Sequence, residues 1–242
     1  MEAPMSELVP TGTLRAAINL GNPVLAQTDP ASGEPAGITV DLTRELGHRL
    51  GVPVAFKTYP AAGKVFEDVK NGVWDIAFVA IEPVRAAEIE FTAPYLIIEG
   101  TYMVPKDSDL KVIADVDKPG IRIAVGPNSA YDLYLTRTIK HATLVRASEG
   151  GSRAMVELFL KDKLEVAAGV RQQLEAFAKD NPGLRIMDGH FMEIRQAMGV
   201  PKGRTAAATY LRTFIEEMKA NGFVADALRR SKQSAKVAPR AS

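Results

Sequence analysis

Apolar residues recur along the chain at two alternating spacings, and the alternation predicts strands followed by helices. TLRAAINL (13–20) reads as a short apolar strand, and residues 22–37, with three prolines, as a loop. In ITVDLTRELGHRLG (38–51), Leu42, Leu46 and Leu50 repeat every four residues and Gly51 supplies a stop, which predicts a helix. VPVAFKTY (52–59) is strand-like. A short helix carrying Val65, Phe66 and Val69 follows, closed by Asn71-Gly72, and WDIAFVAI (74–81) reads as a buried strand. The order βαβαβ implies parallel pairing in a three-layer α/β lobe.

A second set begins after TYMVPKDS (101–108), a strand that runs into a polar break. IRIAVG (121–126), ATLVRA (142–147), LEVAAGV (164–170) and GLRIMD (183–188) read as strands. SAYDLYLTRTIK (129–140), SRAMVELFLKDK (152–163) and QQLEAFAKDN (172–181) read as helices between them. AMGVPKG (197–203) is strand plus turn. One last long helix carries Leu211, Phe214, Ile215 and Met218, a stripe at helical spacing that predicts core. The polar tail KQSAKVAPRAS (232–242) is expected to fray.

Composition narrows the class. Hydrophobic residues make up 46% and charged residues 24%, an ordinary globular balance, and 30 Lys plus Arg offset 29 Asp plus Glu. No global field therefore steers the chain to nucleic acid or anionic lipid. Cysteine is absent, which excludes disulfides and thiolate metal sites, and His48, His141 and His190 show no ligand spacing, so neither metal nor cofactor is expected. No run of 18 apolar residues predicts a membrane span. The first twenty residues lack a basic segment followed by an apolar one, so the expected location is periplasmic if a signal has been removed and cytoplasmic otherwise.

Two short stretches carry candidate chemistry. In FVAIEPVRAAEIEFTAPY (78–95), Arg85 follows directly on a buried strand; it is either a solvated charge pairing with Glu82 or Glu88, or a fork awaiting a carboxylate. In GPNSAYD (126–132), Asn128 or Ser129 can cap a helix, with Asp132 as the capping-box partner of Ser129. Free N–H groups at such a helix start form an anion site.

These pieces resemble, in order, the family 3 extracellular solute-binding proteins, the receptors of polar amino acid ABC transporters. GITVDLTRELGHRLG is similar to the family's first-helix segment and NGVWDIAFVAI to its Gly-x-x-Asp strand. VRAAEIEFTAPY is similar to the Arg segment ending in Phe-Ser-x-Pro-Tyr, and RIAVGPNSAYDLYL to the opening of the second lobe. VPKGRTAAATYLRTFIEEMKANG resembles the returning segment and closing helix. The resemblance implies a type II periplasmic-binding-protein-like fold, two α/β lobes joined by two crossing hinge strands. Residues 1–103 and 198–242 would form lobe 1 and 104–197 an inserted lobe 2, with crossings near 101–106 and 194–199.

The implied function is capture of a small carboxylate, an amino acid or related organic acid, in the inter-lobe cleft for uptake by an ABC-transporter permease; the chain itself would be a monomer. Arg85 falls on the arginine that holds the ligand carboxylate, with Asn128, Ser129 and Ala130 meeting it from the opposite lobe. Ala80, Glu82, Asn19, Asn22 and Gln196 are further expected ligand contacts. The chain also departs from the pattern. Glu82 stands near the family's Ser or Thr, Glu165 replaces an Asp, and Val170 sits where the ammonium-binding Asp is expected. An amine facing valine would be desolvated without a partner, so either Glu82 takes over the ammonium or the ligand is a carboxylate lacking an α-amino group, the second being favoured. Two alternatives remain: a cytosolic sensor, and an enzyme resembling the cyclohexadienyl dehydratases with Glu82 as the acid.

Overall fold

The computed structural model describes residues 4–241. Its elements, in order, are α1 (Met5–Leu8), β1 (Leu14–Asn19), β2 (Gln27–Thr28), β3 (Pro35–Ala36), α2 (Ile38–Leu50), β4 (Val54–Tyr59), α3 (Ala62–Glu67) and β5 (Ile76–Ala80). Next come α4 (Pro83–Ala86), β6 (Ile89–Pro105), β7 (Arg122–Val125), α5 (Ala130–Thr138), β8 (Thr143–Arg146), α6 (Ser152–Lys161) and β9 (Val166–Val170). The chain closes with α7 (Arg171–Asp180), β10 (Leu184–Ile186), β11 (Met192–Pro201), α8 (Thr205–Ala220), α9 (Phe223–Arg230) and β12 (Lys236–Val237). It divides into two compact units, residues 1–97 with 195–242, and residues 98–194. Both changes of unit fall inside strands, β6 and β11, so the two units are joined by two crossing strands.

In the first unit β1 is flanked in parallel by β4 and β5, and β11 runs antiparallel to β5. Every residue of β5 is buried, because helices cover both faces of a parallel sheet. The leucine stripe of α2 faces the core as its spacing predicts, with Leu42 and Leu46 fully buried. Gly51 ends that helix with φ 66°, a left-handed conformation a side chain would resist. In the second unit β7 lies parallel to β8 and β9, and β6 and β10 add antiparallel strands.

The same polar fork anchors each sheet. Arg15 donates its backbone N–H, Nε and Nη2 to Asp75, at 3.1, 2.8 and 2.7 Å. Arg122 donates the same three groups to Glu165, at 2.8, 3.0 and 2.8 Å. In both, an arginine at the start of one strand grips a carboxylate just ahead of its parallel neighbour, which fixes the register. The two forks differ in burial, since the Asp75 side chain is 0% exposed and that of Glu165 34%.

The sequence expectation fails in four places. After Gly222, at φ 82°, a further helix that the sequence pattern above does not include, α9, turns Val224, Ala227 and Leu228 onto the core. Residues 22–37 contain a small hairpin, β2 with β3. Strand β6 begins at Ile89, well before residue 101, although Pro94 lies within it. Strand β12 pairs with Leu96 and Ile97, so Pro94 lies outside that ladder. The tail does not fray: Ala238 is buried, its N–H reaching the Tyr95 carbonyl at 3.1 Å, and Lys219 Nζ donates to the Pro239 carbonyl at 2.9 Å.

Tyr95 itself yields a prediction. Its ring is fully buried edge-on to Phe78, and its hydroxyl has no hydrogen-bond partner among the described residues. Burial without compensation raises its pKa. A buried unsatisfied polar group costs about 1–3 kcal/mol. Tyr95→Phe should therefore leave stability unchanged or raise it by roughly 1 kcal/mol in urea unfolding; a loss of that size would reveal a partner for the hydroxyl.

Candidate functional site

Strand β5 ends at Ala80, and the chain turns through extended Glu82 into the single turn α4, where Pro83 suits the first helical position. The turn divides its side chains sharply, with Val84 47% exposed and Arg85 1% exposed. Arg85 folds back beneath the strand end and donates Nη1 to the Ala80 carbonyl at 3.1 Å. Burial lowers its pKa to about 10, and the nearby Glu82 carboxylate, itself 3% exposed, acts in the opposite direction. Arg85 thus stays charged at neutral pH in a desolvated setting. The solvated reading of this residue is ruled out by that burial, and Glu88 pairs instead with Lys70 at 2.9 Å.

The other predicted contacts in this unit divide into two kinds. Asn19 and Asn22 are buried but use their side-chain oxygens in local turns, accepting from the N–H groups of Gly21 at 2.9 Å and Val24 at 3.2 Å. Gln196, 4% exposed, lies directly across the β5–β11 ladder from Ala80. The structure therefore brings Ala80, Glu82, Arg85 and Gln196 together at one end of the sheet.

In the second unit, Ser129 caps α5, its hydroxyl accepting from Asp132 N at 3.1 Å. The reciprocal arm differs from the predicted capping box. Asp132 Oδ2 accepts from the N–H of Asn128 at 2.9 Å, one residue before the cap, because Asn128 adopts φ 57° and turns its N–H inward. Ser129 N instead donates to the Gly126 carbonyl at 3.3 Å. Asp132 is nearly buried, and Arg146 meets it with Nη2 at 2.9 Å and Nε at 3.2 Å. Among the described residues nothing accepts from the N–H groups of Ala130 and Tyr131, the first two of the helix. These two donors, with the helix dipole behind them, suit an anion.

Val170, buried, ends β9 and leads into α7. Its neighbour Arg171 donates Nε to Glu99 at 2.6 Å, and His190 Nδ1 lies 3.1 Å from the same carboxylate. Sequence reasoning found neither this cluster nor the Arg146–Asp132 pair. The partners come from separate elements, and no local spacing signals them.

Two crossing strands joining α/β units, the first discontinuous, define a type II periplasmic-binding-protein-like fold. Solved structures share it. The chain superposes on a P235GK mutant of ArgBP from T. maritima with 22% identity and a TM-score of 0.78, covering 94% of this chain and 98% of that one. A solute receptor for L-cysteine from Neisseria gonorrhoeae gives 22% identity and a TM-score of 0.78, over 92% and 90% of the two chains. Residues 14–231 match the model of the bacterial extracellular solute-binding proteins, family 3, and the chain belongs to that family. Among curated proteins, the amino-acid-binding protein AabA of Dichelobacter nodosus is 24% identical over 98 residues, a match spanning 40% of this chain and 39% of AabA. Among the described residues no helix is long and apolar enough to cross a membrane.

Proposed function

We propose that the protein is a receptor that captures a small carboxylate, an amino acid or a related organic acid, and delivers it to an ABC-transporter permease. Arg85 carries this reading. A folded chain does not bury a charged guanidinium against a strand end without cost, and the planar fork matches a carboxylate. Within the second unit, Ser129 and Asn128 shape the turn that presents the two N–H groups at the start of α5, which by themselves suit an anion. Relatives named for arginine, cysteine and amino-acid binding point to the same chemical class. Delivery to a transporter implies export, so the location that fits is the periplasm. The family and its curated relative are described as binding proteins, and we read this chain as one, without catalysis.

Val170 and the altered surroundings of Arg85 favour a ligand without an α-ammonium group. A thermal-shift screen of plain carboxylates, hydroxy acids and α-amino acids tests this. The melting temperature should rise by about 5–11 °C at a ligand concentration of roughly 100 Kd, where binding adds about 2.7 kcal/mol. A rise confined to α-amino acids would reverse the preference.

A further inference from the structure

Gln196 sits in an apolar strand between Arg195 and the fully buried Ala197 and Met198. The residue is only 4% exposed, and its Oε1 has no hydrogen-bond partner among the described residues. Leaving a buried amide oxygen without a donor is costly, and the neighbouring amides avoid it: Asn19 and Asn22 each accept a backbone N–H in a local turn. An unsatisfied acceptor in a native chain calls for a physical account. Its location supplies one. Gln196 faces Ala80 across the ladder, and the Ala80 carbonyl holds Nη1 of Arg85.

We infer that Gln196 is a specificity-determining residue whose carboxamide oxygen accepts a hydrogen bond from the ligand, so that the ligand bears an N–H or O–H donor on the carbon next to its carboxylate. The inference rests on Arg85 holding that carboxylate. Because one residue, Ala80, separates the fork from the amide across the sheet, the donor has to lie close to the carboxylate rather than at the far end of the molecule. A carboxylate without such a donor fills the same space and leaves Oε1 buried and unmet, which a binding site discriminates against strongly.

The test uses two matched series: propionate, lactate and alanine; and 3-phenylpropionate, phenyllactate and phenylalanine. Affinities are read by calorimetry on the whole chain. In the natural protein the donor-bearing members of at least one series should bind roughly 10-fold or more tighter than the donor-free member. Gln196→Met, of similar shape, should bring that ratio close to one without lowering the melting temperature of the ligand-free protein. Gln196→Glu keeps an acceptor and adds a charge, so it should retain the ratio and shift preference toward the amine; it serves as the second reading if the Met variant misfolds. Equal binding of donor-bearing and donor-free members by the natural protein removes the role of Gln196 while leaving the carboxylate reading intact. A ratio that survives in Gln196→Met does the same. Binding of no member of either series removes the carboxylate reading and this inference with it.

Discussion

Replacing Asp75 by alanine should destabilise the protein by about 3 kcal/mol and lower its melting temperature by roughly 6–12 °C. The carboxylate is completely buried, and its two oxygens accept from the backbone N–H, Nε and Nη2 of Arg15 and from Nη1 of Arg204 at 3.2 Å. Truncation therefore strands two guanidinium groups at once. It also loosens the entry to α8, since Arg204 donates as well to the Glu7 carbonyl at 2.9 Å, and Glu7 Oε2 accepts the Ala207 N–H at 2.8 Å. The lower end of the range for a broken buried pair applies because both arginine side chains keep about a quarter of their surface in solvent. Glu165→Ala is the internal control. It removes a fork of the same geometry, but one open to water, and should cost about 1 kcal/mol or less. Urea unfolding of the two variants decides the matter. Equal losses would mean that connectivity, not burial, sets the strength of these forks.

Arg85 should dominate binding as Asp75 dominates stability. Arg85→Lys keeps a cation beside Glu82 but replaces the planar fork by a point charge, and affinity for the carboxylate found in the screen should fall roughly 10- to 150-fold, or about 1.5–3 kcal/mol. Arg85→Ala should abolish the ligand-induced rise in melting temperature while circular dichroism stays native. The ligand-free protein should tolerate both changes, because the native fold already carries the cost of this charge: burial has lowered its pKa to about 10. The sign follows from that direction. A base whose folded pKa lies below its unfolded value penalises the fold at neutral pH, and the penalty fades as pH rises from about 10 toward the ordinary value of a free guanidinium. An undiminished ligand response in Arg85→Ala would take this residue out of the site.

Much of the scaffold was legible from periodicity alone. The leucines of α2 and the stripe of α8 declared which faces are buried, and the continuous apolar run of β5 declared a strand covered on both sides. Glycine marked the end of α2 correctly, whereas the short helix α9 beyond Gly222 was not read from the pattern. The tail misled for a related reason. Its polar composition says nothing about the single apolar pair, Val237 and Ala238, that docks it beside Tyr95.

The candidate site was only half legible. Arg85 stood out because a charge directly after a buried strand has few places to go, and Ser129 because a hydroxyl before a helix has a local role. Asn19 and Asn22 looked equivalent to Gln196 as polar residues near strand ends. Only the folded structure separates the two whose oxygens are met within three residues from the one whose oxygen is met by none of the described residues.

By itself the sequence determined the alternation of strands and helices, the faces that turn inward, and the presence of a guanidinium at the end of β5. Those features depend on spacing within a few residues, which local backbone geometry reads directly. Tertiary structure decided that this guanidinium is buried, that Asp75 meets an arginine 129 residues away, that Asp132 is shared with Arg146, and that Gln196 keeps an oxygen unmet among the described residues. Burial and long-range hydrogen bonding belong to no single segment; they exist only once distant strands have paired and desolvated the groups between them.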